Sequence, residues 1–303
     1  MSTRAQTPTV PLLLALVGLG RAGAARERAI EALPGARLCA RVRRVPEPGE
    51  ASLESVLGDD SIDAVVICTP NALHAAAVRR CLEAGKHVAV EYPLALTPEE
   101  ARALFELARD CGRVLHVEHI ELLSASQLLL RERVRALGPL RGGRLQFRGT
   151  RQGWIADEAL AGPPAVRALA RLHRLTDLFG EARVSEARVE GLDAGERLEA
   201  VLAFASGGSV TLVEEWAPGL ARGTDWEIEC EGGRLETPAP APPGGLFRDD
   251  TARFLDRITR AAPSYVSDAR ILHVLELAAE ITEAAAGEGS ASLPRVTGRP
   301  QQS

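Results

Sequence analysis

The stretch Leu12-Leu13-Leu14-Ala15-Leu16-Val17-Gly18-Leu19-Gly20-Arg21-Ala22-Gly23 decides the fold. Its apolar run has the texture of a parallel strand covered on both faces. The run leads directly into Gly-x-Gly-x-x-Gly, and Ala24 to Leu33 then reads as a helix. The motif alone is a weak signal; a strand before it and a helix after it give it meaning. The glycines permit a tight turn and close approach of backbone N–H groups to a pyrophosphate, while the helix N-terminus adds the positive end of its dipole. Gly18, Gly20, Arg21, Ala22 and Gly23 are therefore candidate dinucleotide contacts. Selectivity is read at the end of the second strand, Ala36 to Val42. A carboxylate there binds the ribose 2′-hydroxyl of NAD. This chain has Arg41-Val42-Arg43-Arg44 instead. Arg43 and Arg44 suit a 2′-phosphate by charge and by stacking on adenine, so NADPH is the preferred cofactor and NADH the alternative.

Further strands are expected at Ala64–Cys68, His87–Val90 and Arg113–Val117, with helices at Ala51–Leu57, Leu73–Ala84 and Thr97–Cys111 between them. Thr97, Pro98 and Glu100 form a strong helix start. This alternation predicts an α/β class domain, a Rossmann doubly wound parallel sheet. The texture changes near residue 120. Helices are predicted at Leu122–Leu137 and Ala165–Phe179, and strands at Arg144–Thr150, Val184–Glu190, Leu198–Phe204, Val210–Trp216, Trp226–Glu231 and Arg234–Thr237. Gly207-Gly208 and Gly232-Gly233 are hairpin turns between strands. Helices follow at Asp249–Arg260 and Ser267–Ala286. The second part is thus an α+β domain with a large, mostly antiparallel, open-faced sheet. The expected division is 10–120 and 121–287, with loose tails at 1–9 and 288–303.

The 303 residues suffice for two cores, and a net charge of −5 argues against a nucleic-acid partner. Lys86 is the single lysine, so arginine richness by itself is no sign of phosphate binding. Five cysteines without a Cys-x-x-Cys pair favour neither a disulfide framework nor a zinc site. The apolar runs are too short to span a bilayer, so no membrane association and a cytoplasmic location are expected. The open sheet face would either pair with a second copy or stay solvated.

Two stretches carry a family resemblance: Ala64-Val65-Val66-Ile67-Cys68-Thr69-Pro70-Asn71 with His74, and Glu83-Ala84-Gly85-Lys86-His87-Val88. They resemble the glucose–fructose oxidoreductase and inositol dehydrogenase family. That family has Glu-Lys-Pro after its fourth strand, with a catalytic lysine; here the residues are Glu91-Tyr92-Pro93. It also tends to carry His-x-x-Asp on the helix that ends in glycine, and here Ala170 and His173 occupy those positions. Glu-Tyr-Pro, Val114 to Leu123, Arg171-Leu172, Leu178-Phe179-Gly180-Glu181 and Arg270-Ile271-Leu272-His273 are similar instead to the biliverdin reductase branch. The resemblance covers roughly residues 12–285 and is weakest in the second sheet.

That resemblance implies NADPH-dependent reduction of the bilin biliverdin to bilirubin. A hydride goes to the central methine bridge and a proton to a pyrrole-type nitrogen. The alternatives are a sugar oxidoreductase of the same fold and an inactive NADP-binding regulatory protein. The resemblance places Thr69, Pro70, His74 and Glu91 on the cofactor side and Tyr92 beside the nicotinamide. Glu118 and Glu121, three apart at a helix start, share a face and either relay protons or cap the helix. Arg171 is the first choice for the bilin-facing cation and proton route, with Arg174, Arg148 and Arg151 for the propionates. His173 is either near the substrate or solvated. The histidines form no recognisable metal site.

Overall fold

The computed structural model describes residues 10–43, 50–237 and 245–288, which build two sheets. The first contains β1 (Leu12–Val17), β2 (Ala36–Val42), β3 (Ala64–Ile67), β4 (His87–Val90) and β5 (Leu115–Val117). Their order is β2-β1-β3-β4-β5, every neighbour parallel. Successive residues of β1 point to opposite faces and both faces are covered, hence its unbroken apolar run. Leu14, Leu16, Ala64 and Val66 pack with Ile30 of α1 (Arg21–Glu31). Ala15, Val17, Val65 and Val88 share the other core with Val78 and Leu82 of α3 (His74–Glu83) and Leu104 of α4 (Pro98–Asp110). A short α2 (Leu53–Leu57) precedes β3. Thr97 caps α4, accepting the Glu100 N–H at 3.3 Å. The chain passes from β1 to β2 on one side and returns to β3 on the other. The strand order therefore reverses at β1 and opens a crevice at the carboxyl ends of β1 and β3, where this topology binds ligands.

The second sheet contains β6 (Leu140–Thr150), β7 (Ala182–Leu192), β8 (Gly195–Phe204), β9 (Ser209–Ala217), β10 (Gly223–Cys230) and β11 (Gly233–Glu236). Its order is β11-β10-β6-β9-β8-β7, antiparallel except for the β6–β9 pair. Strand alternation sends Leu145, Leu198, Leu202, Leu212 and Ile228 to one buried face. α5 (Ala125–Leu137), α8 (Leu169–Phe179) and α10 (Asp268–Glu288) cover it. The other face carries a charged ladder: Arg197 meets Glu215 at 2.9 Å and Glu199 at 3.3 Å, and Arg148 meets Asp225 at 2.6 Å.

Four features depart from the sequence reading. The helix expected over Leu122–Leu137 is divided: Ile120–Leu123 is a single 3-10 turn, and extended Ser124 caps α5 through the Gln127 N–H. The helix expected over Ala165–Phe179 divides at Ala168 into α7 (Pro164–Arg167) and α8, because i→i−3 bonds tighten the backbone there. A 3-10 turn at Gly153–Ala156 and α6 (Glu158–Ala161) were unforeseen, being too short to show a period. Finally, α9 (Leu246–Arg260) returns to the first sheet, where Phe254 and Leu255 join Leu14, Leu16 and Ile30. The division at residue 120 had placed that helix with the second part. Among the described residues no helix is long and apolar enough to cross a membrane.

Candidate active site

The crevice beside β1 opens into a cavity of about 1010 Å³ that runs between the two sheets. Its floor is the glycine loop. Gly18 has φ +95°, and a Cβ there would stand 2.5 Å from the Cys68 carbonyl oxygen, so no other residue fits without strain. Gly23 packs against the Gly18 carbonyl and does not itself line the cavity; its role is the close approach of helix to loop. At Gly20 a Cβ would meet nothing within 4 Å, leaving an open cradle. The first turn of α1 has no side-chain cap and no acidic residue, so its N–H groups face that cradle uncompensated. Arg21, Ala22, Thr69, Pro70 and Arg43 line the same space, and among the described residues the buried Thr69 hydroxyl has no partner. These features fit a dinucleotide. His74 also lines the cavity, and its imidazole lies 2.7 Å from both the Thr69 and Pro93 carbonyls, holding the two loops together. Arg43 stands 3.1 Å from Glu50; Arg44 lies outside the described residues.

At the carboxyl end of β4, Glu91 accepts from Arg26 Nε at 2.7 Å. Arg26 is buried in α1 and also donates to Asp250 of α9 at 2.6 Å. Asp250 further accepts from His116 at 2.9 Å and from the Tyr265 hydroxyl at 2.7 Å. Burial opposes ionisation of Asp250, but the charge of Arg26 and the bonds it accepts hold its pKa below the ordinary range. For Glu118, just beyond β5, compensation is too small. Burial first, then the charge of Glu91, pushes its pKa well above the carboxylate norm, and the charge of Arg26 only partly offsets this. Among the described residues its carboxylate has one hydrogen bond, from the Ile120 N–H to Oε1. Glu118 precedes the 3-10 turn that carries Glu121, so the two do not share a helix face. Glu118 is buried, whereas Glu121 is a partly exposed residue at the cavity mouth. Tyr92 lines the cavity and rests on His119, ring centroids 6.1 Å apart. Burial raises its hydroxyl pKa, so it stays protonated.

The facing wall comes from the second sheet. Arg171 on α8 is buried, and its Nε and Nη2 both bond the Glu214 carboxylate, the former at 2.5 Å. Burial alone would lower its pKa, but Glu214 outweighs that and raises it, so the guanidinium is a fixed, neutralised cation. It lies 4.0 Å from the Phe147 ring centroid and 5.9 Å from that of Trp216. Gly149 is necessary here because a Cβ would come within 2.8 Å of both rings. Phe147, Arg171 and Trp216 thus present an aromatic wall to the cavity, its two rings 5.1 Å apart and tilted by 48°.

The other expected substrate residues lie elsewhere. Arg148 alternates with Phe147 along β6 and points to the outer face, onto Asp225. Arg151 sits beside Glu196 at 3.7 Å, off the cavity. Arg174 is buried, donating to Gln127 at 2.9 Å and stacking on Trp226 at 4.8 Å. His173 is neither solvated nor in the cavity; it packs on His119 at 3.9 Å between centroids. Burial keeps both imidazoles neutral; His116 adds to the effect on His119, whose pKa falls to about 3, and His119 adds to the effect on His173. Arg26, Glu214, Trp216 and Arg222 escaped the sequence reading. Glu214 had a signal, because it occupies the apolar phase of Val210-x-Leu212-x-Glu214. Arg222, on a loop at the cavity mouth, had none. Among the described residues no cluster of ligating side chains could hold a metal ion.

A crevice at the switch point of a parallel sheet, roofed by an open mixed sheet, defines a Rossmann-fold NAD(P)-dependent oxidoreductase. Residues 12–119 match the oxidoreductase family with an NAD-binding Rossmann fold, and residues 132–242 match the biliverdin reductase catalytic domain. Biliverdin reductase A of Mus musculus is 34% identical over 280 residues, covering 88% of this chain and 93% of the relative. The Homo sapiens protein is 31% identical with the same coverage. A biliverdin reductase of Synechocystis sp. PCC 6803, solved in complex with biliverdin and NADP+, superposes with a TM-score of 0.79 at 27% identity. That match covers 91% of this chain and all of the other. The chain belongs to the biliverdin reductase family.

Proposed function

We propose that this protein reduces biliverdin to bilirubin with NADPH. One observation carries the reading: the dinucleotide cradle faces an aromatic wall of Phe147, Arg171 and Trp216, with Tyr92 where a polyol-oxidising enzyme needs a lysine base. A large conjugated bilin finds apolar rings to pack on there, and methine reduction requires no alcohol deprotonation. NADPH, when bound, supplies the hydride; Gly18, Gly20, Arg21, Ala22, Thr69 and Arg43 would hold it. Glu118 is the group placed to hold a proton beside the cavity, because burial and the charge of Glu91 favour its neutral form. Tyr92 and Arg171 orient the substrate above it, Arg171 rigidly through Glu214. Water enters the relay from Glu118 to the pyrrole-type nitrogen, since a guanidinium is a poor acid. The expected compartment is the cytoplasm.

The deciding experiment is incubation of the purified protein with NADPH and biliverdin. The expected result is loss of the green absorbance and growth of the yellow product. NADP+ reduction driven by polyols, or tight cofactor binding with no bilin turnover, would overturn the assignment.

A further inference from the structure

We propose that Arg222 is the receptor for a substrate carboxylate, and that Glu121 occupies it in the free protein. The inference rests on the bilin reading above, since biliverdin carries two propionates. A propionate needs a cation on the substrate side of the cavity that is not already held by the protein's own carboxylates. Arg171 is neutralised by Glu214, and Arg167 lies against Glu196. Arg148 is on the outer face with Asp225, Arg151 is beside Glu196, and Arg174 is sealed behind Trp226. Arg21, Arg28 and Arg43 line the dinucleotide half. Among the described residues of the second-sheet wall, that leaves Arg222.

Its placement suits the task. Arg222 immediately precedes β10, and its guanidinium lies 5.7 Å from the Phe147 centroid. It thus stands on the same ring as Arg171, where the aromatic wall meets the solvent. Its side chain is 62% exposed, and among the described residues its one carboxylate partner is Glu121 at 3.4 Å, through a single hydrogen bond. An exposed, single-contact pair is weak. Exchanging Glu121 for an incoming propionate trades one carboxylate for another, so Arg222 never loses a partner. A sugar offers no such group, and a bilin ester offers none either. Glu121 thereby acts as an internal competitor that admits only anionic ligands.

The test compares biliverdin with its dimethyl ester in steady-state kinetics. Wild type should favour the diacid. Arg222→Ala should raise the KM for the diacid about tenfold and erase that preference. Glu121→Gln should lower the diacid KM, but only while Arg222 is present; in the Glu121→Gln, Arg222→Ala double variant the effect should vanish. Equal KM increases for diacid and ester, or a preference that survives Arg222→Ala, would overturn the proposal. Should wild type turn over no biliverdin, the functional reading itself fails. The same diacid–ester contrast, read as dissociation constants by bilin absorbance, would still decide the role of Arg222. An unchanged NADPH affinity verifies that each variant is folded.

Discussion

At Gly20 the free protein has room for a side chain, yet the proposed ligand does not. A Cβ there meets nothing within 4 Å, because the space above it is the cradle itself. Gly20→Val is therefore expected to melt with the wild type and to lose binding of both dinucleotides, read by fluorescence titration. Normal NADPH titration would make the loop merely structural. Gly18 is the opposite case: at φ +95° against the Cys68 carbonyl, Gly18→Ala strains the fold before it touches any ligand. Arg43 is the residue proposed to carry the cofactor choice. It stands at the end of β2 on the cavity, with Glu50 at 3.1 Å, and no carboxylate replaces it at that strand end. Arg43→Glu should weaken NADPH by about 1.5–3 kcal/mol, the loss of a charge-assisted contact, with little change for NADH. Equal losses for the two cofactors would remove Arg43 from the 2′-phosphate.

Among the elements, α9 has the least obvious job. It comes after the second sheet in the chain but completes the first, closing the face formed by Leu14, Leu16 and Ile30. Its polar anchor is Asp250, which accepts from α1 through Arg26, from β5 through His116, and from Tyr265. The Tyr265 hydroxyl in turn accepts the His119 N–H at 2.8 Å, tying the start of the Glu121 turn to the same point. Asp250→Ala would leave the buried Arg26 with Glu91 as its remaining carboxylate and would remove the acceptor of His116 and of the Tyr265 hydroxyl. Breaking such a buried pair typically costs about 3–5 kcal/mol. The expected result is a loss of that size in the denaturant-derived stability. A loss below about 1 kcal/mol would mean that α9 is held by Phe254 and Leu255 alone.

For the molecule as a whole, buried titratable groups set opposing pH slopes. His119 and His173 are held neutral in the fold, with pKa values far below 6.5. Below pH 6.5 the unfolded chain binds protons that the native state refuses, so stability falls as pH drops, by up to about 1.4 kcal/mol per unit for each histidine. Asp250, with its pKa depressed, adds to that loss below its ordinary value of 3.8. Glu118 works the other way: its raised pKa keeps a proton that the unfolded chain loses above 4.5, so its contribution falls as pH rises. His74 and His87, also lowered by burial, add to the acid-side loss, while Glu214, raised by burial, acts with Glu118. The histidine slope sets in as pH falls through about 6.5, so stability should drop on that side, as measured by thermal melts across pH. Glu118→Gln should raise the melting temperature at pH 8 and leave it nearly unchanged at pH 4. A variant curve parallel to the wild type would show that Glu118 is ionised in the fold.

Much of this was legible in the chain. A parallel strand buried on both faces must be apolar throughout, and a pyrophosphate loop must contain glycine, so Leu12 to Gly23 announced the first sheet and its crevice. Period-two runs between Gly-Gly turns announced the second sheet. These are local properties, written in propensity, periodicity and backbone freedom; Glu91-Tyr92-Pro93 was legible only through the family resemblance. What the sequence could not decide was the direction and partner of each charged side chain. Arg148 and Phe147 are neighbours in the chain but stand on opposite faces of β6, so a one-residue step separates a wall of the cavity from an outer salt ladder. Arg171 and Glu214 are 43 positions apart and meet only because α8 packs on β9. Glu118 becomes an acid that keeps its proton only because tertiary packing buries it beside Glu91 and gives Arg26 to others. Charge pairing and desolvation depend on three-dimensional neighbours, and those exist only once the two sheets have closed on each other.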